Sequence, residues 1–441
     1  MAYEAQANSN QPLPLNSYRR TMYTTFMTLS EELSWRGFTN QTTYKDTSAL
    51  NGKPITFYWG VDPSADSMTV GNFAVAMMIR HFIDRGHKAI LLVGGATGMI
   101  GDPDGKKQER DLLSLEDIER NKQGISEQYR KIFAGHDFEI VDNYDWFKEF
   151  GYLQFLREVG KHVPMRQMLG RQFVQDRLTE DGDGISYAEF SYALIQGFDF
   201  LHLYREKGAT LQVAGSDQWG NCIAGVELIR RMAGGEAHIW TAPLIVNKTT
   251  GVKFGKSEGG AVWLDPAKTT PTAFYQFWIN CDDLGVEEYL KIYTLLPKEE
   301  VESIMARQHE NPGARCAQTR LAEEVTRLVH GDEALLTAQK VTACLVGEAS
   351  VGEADDTTVA ALRAEIPCVQ SGADGSILTA LVAAGLASSN GEARRLLQGN
   401  AISINGVKTS DENFNPGLFT GGRLLLRRGK AFKDSALVEL S

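Results

Sequence analysis

Four stretches of the chain combine polar or cationic side chains with glycines at spacings suited to holding a small charged ligand. Tyr58 to Asn72 reads Tyr-Trp-Gly-Val-Asp-Pro-Ser-Ala-Asp-Ser-Met-Thr-Val-Gly-Asn, between an apolar run and an apolar helix pattern. A strand end followed by a helix start aims backbone N–H groups and the positive end of the helix dipole at one place. Ser64, Thr69 and Asn72 offer short polar groups to phosphate oxygens, and Gly71 lets a flat ring approach closely. An ordinary βα loop with capping Ser, Asp and Thr reads the same way. Gly94-Gly95-Ala96-Thr97-Gly98-Met99-Ile100-Gly101-Asp102-Pro103-Asp104-Gly105-Lys106-Lys107 resembles a phosphate loop, but Ile100 stands where the first glycine belongs and Lys107 where Ser or Thr does. It is either a ligand-binding turn at a strand's C-terminal edge or a tight turn that uses glycine for positive φ. Tyr192, Gln196 and Asp199 are spaced four and three apart, so they share one face of an otherwise apolar helix. Such a row is a satisfied core network or a small polar-ligand site. Lys253-Phe254-Gly255-Lys256-Ser257-Glu258-Gly259-Gly260 reads as a mobile cationic loop, or as an ordinary solvated one.

These stretches need a scaffold. Residues 1–17 read as a loose tail, and Thr21–Arg36 as a leading helix stopped by Gly37. A strand at Ile55–Gly60, a helix at Gly71–Arg85 and a buried strand at Ala89–Val93 form a βαβ unit. A helix at Ser114–Phe133, a strand at Phe138–Asp142, mixed helix over Tyr152–Leu178, a helix at Phe190–Tyr204, a strand at Thr210–Ala214 and a helix at Asn221–Met232 follow. This alternation predicts a doubly wound, Rossmann-like parallel-sheet α/β domain over 18–265, with an insertion at about 150–180. A helical domain over 266–345 and a linker over 346–370, rich in Gly, Asp, Glu and Ser at its start, come next. A compact α+β segment over 371–441 ends the chain. Within it Ile377–Ala384 is a short helix, Ser389 and Glu392 form a capping box, Gly399 ends the second helix, and Asn405-Gly406 makes a type I′ hairpin turn. Arg423–Arg428 and Ala436–Leu440 add strands.

Composition bounds the rest. The chain has 441 residues, 43% hydrophobic and 23% charged, which is ordinary globular composition. No run is long and apolar enough for a membrane span, and Met1–Asn16 lacks the features of a signal peptide. The five cysteines are an odd number with no C-x-x-C pair, which fits a reducing cytoplasm. The eight histidines are scattered and suggest no metal site. A net charge of −11 argues against coating nucleic acid by bulk positive charge. Residues 371–441 are the exception, with eight Lys or Arg against six Asp or Glu.

Together and in this order the four stretches resemble the bacterial tyrosyl-tRNA synthetases, class I aminoacyl-tRNA synthetases, from about Thr28 to the end. Lys253–Ser257 is similar to the family's K-M-S-K-S lysine loop, and Ala214-Gly215-Ser216-Asp217-Gln218-Trp219-Gly220-Asn221 to its G-G-S-D-Q-W-G-N. Ser389–Ile404 is similar to the S4-like RNA-binding module. The His-x-Gly-His signature departs, reading Thr69-Val70-Gly71-Asn72. Thr69 donates one hydrogen bond but carries no charge, a loss of roughly 1 kcal/mol or more at the γ-phosphate.

The resemblance implies a tyrosine–tRNA ligase that makes tyrosyl-adenylate from L-tyrosine and ATP and passes the tyrosyl group to tRNA(Tyr). It implies catalytic roles for Lys253, Lys256, Ser257, Thr69 and Asn72. Tyr58 and Asp199 would grip the phenol, Tyr192, Gln196 and Asp102 the ammonium, and Gln218 the carboxylate. Gly60, Asp62, Ser64, Gly71, Gly215, Asp217 and Lys256 would hold ATP, with Asp217 on the ribose. Rejection of phenylalanine by about 10⁵ is the family's known behaviour. Mg²⁺ would accompany ATP on its phosphates, with no tightly bound cofactor. Lys106, Lys107 and Arg110 would meet the acceptor stem. Arg394, Arg395, Arg427, Arg428 and Lys430 would meet tRNA phosphates, so binding would weaken with salt. The family pattern also implies a homodimer joined through Tyr152–Leu178. A tryptophanyl-tRNA synthetase shares the architecture, and a catalytically inactive synthetase-like RNA-binding protein is the alternative from a different class.

Overall fold

The computed structural model describes residues 27–103, 112–179, 184–257, 260–429 and 432–441. The expected tail over 1–17, the first part of the leading helix, Lys106, Lys107, Arg110 and Lys430 lie outside the described residues, as do the side chains of Lys256 and Ser257. The six strands of the main sheet are β1 (Gln41–Thr42), β2 (Thr56–Val61), β3 (Lys88–Val93), β4 (Phe138–Asp142), β5 (Ala209–Gly215) and β6 (His238–Ala242). Their order is β1-β6-β5-β2-β3-β4, parallel except for the two-residue edge strand β1. From β2 the chain adds β3 and β4 on one side and β5 and β6 on the other. The crevice beyond the carboxyl ends of β2 and β5 is therefore a topological switch point.

Helices α1 (Leu29–Arg36), α2 (Val70–Asp84), α3 (Thr97–Ile100) and α4 (Leu115–Ile132) belong to the first half. The α4 helix buries Ile118, Asn121, Ile125, Tyr129 and Ile132, spaced three and four apart along one face. The expected mixed helix over Tyr152–Leu178 is instead three short pieces. After α5 (Tyr144–Phe147) come α6 (Tyr152–Glu158), α7 (Met165–Leu169) and α8 (Gln172–Arg177). Pro164 precedes α7, where its missing N–H breaks no helical bond, and Gly170 caps that helix. Two arginines of this stretch turn inward while Arg166 stays exposed: Arg171 reaches Asn221 and the Gly220 carbonyl, and Arg177 makes a buried two-pronged contact with Glu189, at 2.8 and 2.9 Å. Helix α9 (Tyr187–Lys207) runs between Ser186, in a reciprocal capping box with Glu189, and Gly208 at φ 67°. Helix α10 (Trp219–Met232) packs along it.

Helices α11 (Pro271–Ile279), α12 (Val286–Tyr293), α13 (Lys298–Glu310), α14 (Cys316–His330) and α15 (Asp332–Val346) fill the expected helical region. They share a core with the sheet. One apolar cluster runs from Phe73, Met77 and Phe82 on α2 to Trp278, Tyr289 and Tyr293. Arg36 ties the two further: its guanidinium donates to the carbonyls of Lys291, Thr294 and Leu296 at 2.8 to 2.9 Å.

The linker expected over 346–370 is a correction. It carries α16 (Asp356–Glu365) and a strand (Cys368–Ser371). The polar residues that suggested a linker are in part a helix start: the Asp355 side chain accepts the N–H of Thr358 at 2.8 Å. Counting the two-stranded ribbon β7 (Lys256–Ser257) and β8 (Gly260–Ala261), the strand is β9. It joins β10 (Ile402–Ile404), β11 (Val407–Lys408), β12 (Arg423–Arg428) and β13 (Ser435–Leu440) in the order β11-β10-β12-β13-β9. Asn405 and Gly406 both have positive φ (48° and 82°), as a type I′ turn requires. Helices α17 (Ile377–Ala383) and α18 (Asn390–Gln398) cover the sheet face carrying Leu424, Leu426, Ala436 and Val438. The opposite face puts Leu425 and Leu437 against Val341, Cys344 and Leu345 of α15 and Val359 and Leu362 of α16. The capping box at α18 is altered too. Glu392 donates its N–H to the Ser389 hydroxyl, but its carboxylate accepts from the N–H of Ser388 (2.8 Å).

Candidate active site

A cavity of about 300 Å³ opens at the switch point. Strand alternation sends Phe57 and Trp59 to one side of β2 and Tyr58 to the other, among Ile90, Leu92 and Phe200. Tyr58 lies beside Ile90 of β3 and Gln212 of β5 in the ladder. It is 2% exposed, and its hydroxyl has no partner among the described residues. Burial raises its phenol well above the usual value, with Cys222 and Asp199 adding to the shift. From α9, Tyr192, Gln196 and Asp199 enter the same cavity. The polar row on α9 is therefore part paired and part open. Tyr192 donates to Asp62 Oδ2 at 2.7 Å, while Gln196 keeps a buried Oε1 without a partner among the described residues.

Asp199 is 1% exposed and accepts from Asn143 Nδ2 (3.1 Å) and Trp146 Nε1 (2.9 Å). Burial pushes its carboxyl up to about 8, against the pull of these two donors, and the nearby Asp62 and Asp142 charges push the same way. Asp102 accepts from Gln218 Nε2 and from Asn221 Nδ2 (3.4 Å). Arg171 holds the far side of Asn221 at 2.8 Å, so the insertion braces this corner.

At the other end of the cavity, Gly60, Asp62, Ser64, Gly71, Gly215 and Asp217 line the wall. A Cβ on Gly60 would meet Leu92 at 3.2 Å, whereas one on Gly71 would meet only Thr69 Oγ1 at 3.5 Å, which leaves room above the start of α2. Lys253 Nζ stands 3.7 Å from Asp217 Oδ2. The expected mobile cationic loop is pinned at its root. Phe254 is 6% exposed, and its ring stacks on Tyr289 with centroids 4.1 Å apart. Thr69 also behaves differently from the expectation that it donates to phosphate. Its hydroxyl donates to Asn72 Oδ1 at 2.9 Å, and its N–H goes to the same oxygen at 3.0 Å. Thr69 thus orients Asn72 and leaves the Nδ2 end of that amide as the donor.

Four residues went unread as site residues: Gln212, Thr97, Asn143 and Trp146. Gln212 lines the cavity, 3% exposed, with a buried Oε1 that has no partner among the described residues. One polar residue inside the apolar run Thr210–Ala214 was the available signal. Asn143 and Trp146 follow β4, and nothing local marks them. Of the glycines around Thr97, Gly94, Gly95 and Gly98 lack positive φ, whereas Gly101 adopts it at 81°, so the positive-φ turn is at the end of this stretch and not at its start. Gly94, Gly95 and Gly98 are needed for close approach: a Cβ on Gly94 would overlap Thr97 Oγ1 and Asp62 Oδ1.

In the C-terminal module Arg394 makes a two-pronged contact with Glu412, at 2.6 and 3.0 Å. Arg428 reaches Glu392 (3.3 Å) and the Leu386 carbonyl (2.9 Å). Arg395 is exposed, whereas Arg427 is half-buried with its guanidinium against Gly347 at the end of α15.

Residues 50–347 match the family model of class I tRNA synthetases (W and Y), and residues 358–433 match that of the tyrosine–tRNA ligase SYY-like C-terminal domain. The chain is 43% identical to a tyrosine–tRNA ligase of Bacteroides thetaiotaomicron over 92% of its own length and 98% of that protein. It is 44% identical to one of Bacillus caldotenax with the same coverage. The chain belongs to the tyrosine–tRNA ligase family. A C-terminally truncated mitochondrial tyrosyl-tRNA synthetase of Aspergillus nidulans superposes with a TM-score of 0.64 at 30% identity, covering 71% of this chain and 92% of that one. A tryptophanyl-tRNA synthetase of Encephalitozoon cuniculi superposes at 0.52 with 14% identity, which reflects a common fold. The second family match starts inside the stretch expected to be a linker, in accord with α16 and β9.

Proposed function

We propose that the chain performs the tyrosine–tRNA ligase reaction in this cavity. L-tyrosine lies with its phenol between Tyr58 and Asp199, and ATP lies over Gly60 and Gly71. The observation that carries this reading is the Tyr58 hydroxyl. It is buried without a partner among the described residues, in a cavity that it shares with a buried carboxylate. A phenol completes both groups: it accepts from Tyr58 and donates to Asp199. Phenylalanine leaves the Tyr58 hydroxyl unpaired, at a cost of about 1–3 kcal/mol, and gives Asp199 no donor beyond Asn143 and Trp146.

Tyr192, Gln196 and Asp102 hold the ammonium, and Gln218 the carboxylate. The carboxylate attacks the α-phosphorus of ATP in line, giving tyrosyl-adenylate and pyrophosphate. Asn72, Lys253, Lys256 and Ser257 stabilise the charge that develops on the phosphates. Asp217 takes the ribose. Asp62 already accepts two hydrogen bonds and Asp217 faces Lys253, so Mg²⁺ would accompany ATP and be held mainly by its phosphates.

The second step transfers the tyrosyl group to tRNA(Tyr). Lys106, Lys107 and Arg110 serve the acceptor stem, and Arg394, Arg395, Arg428 and Lys430 meet phosphates further out. Arg427 contributes less, being turned to the junction. Tyr152, Leu153, Met165, Leu169, Leu178 and Tyr187 expose apolar surface on and beside the insertion, which supports a homodimer through that face. A cytoplasmic location accords with five unpaired cysteines. ATP–pyrophosphate exchange with each amino acid tests the reading. Exchange driven by tyrosine is expected, and exchange driven by tryptophan alone refutes it.

A further inference from the structure

We infer that Thr97 is a positioning residue for amino-acid activation: its hydroxyl holds the Asp62 carboxylate at the nucleotide end and links it, through Asn143, to Asp199 at the phenol end. The inference rests on the reading of the cavity given above. Hydrogen-bond direction is assigned along the whole path. The N–H of Ala96 donates to Asn143 Oδ1 at 2.7 Å, which fixes the orientation of that fully buried amide. Its Nδ2 must then face Thr97 Oγ1 (3.0 Å) and Asp199 Oδ2 (3.1 Å), one proton for each. Having accepted there, Thr97 has its single hydroxyl proton left, and it donates this to Asp62 Oδ1 at 2.7 Å. The Tyr192 hydroxyl donates to the other carboxylate oxygen, Asp62 Oδ2, at 2.7 Å.

Both oxygens of Asp62 are thus held by donors from different elements, which fixes the plane of the carboxylate. Asp62, Thr97, Tyr192 and Asp199 all line the same cavity, so this path forms part of its wall. Thr97 itself is 2% exposed. Gly94 makes the contact possible, because any side chain there would occupy the space of the Thr97–Asp62 bond. A hydroxyl that merely satisfied the first turn of α3 would have no need of a carboxylate partner 35 residues away in the chain.

The test uses the full-length protein with Thr97→Val, which keeps the shape and removes the donor, and Thr97→Ser, which restores it. In ATP–pyrophosphate exchange at saturating tyrosine, Thr97→Val is expected to lower kcat/KM for ATP by about tenfold to a hundredfold, the range for one hydrogen bond to a charged group. Tyrosine affinity measured without ATP should fall much less. Thr97→Ser should return the ATP term to near the wild-type value. An ATP term in Thr97→Val within twofold of wild type overturns the inference. So do equal losses in tyrosine affinity and the ATP term, or a Thr97→Ser protein no better than Thr97→Val. A wild-type protein without tyrosine-driven exchange overturns the proposed function instead, and so separates the two failures.

Discussion

Arg394 and Arg428 in the C-terminal module pair with Glu412 and Glu392 on an open surface, whereas Asp62 and Asp199 in the cavity are held by hydroxyl, amide and indole donors. The Arg394 and Glu412 side chains are 49% and 46% exposed, and Asp199 is 1% exposed. Exposed pairs contribute about 0–1 kcal/mol, so a phosphate can replace Glu412 or Glu392 at little cost. Buried donors have no water to fall back on, so a ligand that fails to pair with them is rejected. Under the proposed function the two regions would recognise by two routes: the module by exchanging partners, and the cavity by offering groups whose partners are missing.

The largest effect should come from breaking the cavity side of this contrast. Asp199→Ala should lower kcat/KM for tyrosine in pyrophosphate exchange by about a hundredfold or more, and Tyr58→Phe by about tenfold. Both should narrow the preference for tyrosine over phenylalanine, because a group that punishes phenylalanine is gone. Retention of full discrimination in both would place the phenol elsewhere.

A pH series sharpens the same point. The Asp199 carboxyl holds its proton more tightly in the folded chain, at about 8, than at its ordinary value of 3.8. Its protonated form therefore favours the fold, and that contribution is complete below the ordinary value and is lost as pH rises through 4 to 8. The wild-type protein without ligand should lose stability relative to Asp199→Asn across that window, by at most about 1.4 kcal/mol per pH unit. Thermal melts of the two proteins at matched pH read this directly, and parallel curves would contradict it.

On the module side, Arg395→Ala with Arg428→Ala should weaken tRNA binding several-fold in a filter-binding assay. The slope of log affinity against log salt should fall by about one per lost phosphate contact, while exchange with tyrosine stays unchanged. The smallest effect expected is from Glu412→Gln, which frees Arg394 and should tighten tRNA binding by about twofold at low salt. No change in either tRNA assay would move RNA recognition off this face.

Much of the scaffold is written in short-range signals. The apolar runs of β2, β3 and β4, the Ser186 cap, the spacing of Tyr192, Gln196 and Asp199, and the Asn405-Gly406 turn each depend on residues within a turn or two of one another. Period and capping need no distant partner, so they are legible without the fold. The stretch over 346–370 failed on the same ground: Gly, Asp, Glu and Ser there satisfy both a linker and a capped helix. What selects the helix is burial of Val359 and Leu362 against Leu425 and Leu437.

The amino-acid sequence by itself determined the alternating elements, their glycine stops and the polar row on α9. Only the tertiary structure decided which polar groups meet and which are left open. Thr97 finds Asp62 across 35 positions, Asn143 finds Asp199 across 56, and Tyr192 finds Asp62 across 130. The physical reason is that a buried hydrogen bond is selected by the distance and direction of two groups in space. Those quantities exist only once the sheet order has brought the ends of β2, β3, β4 and β5 to one crevice.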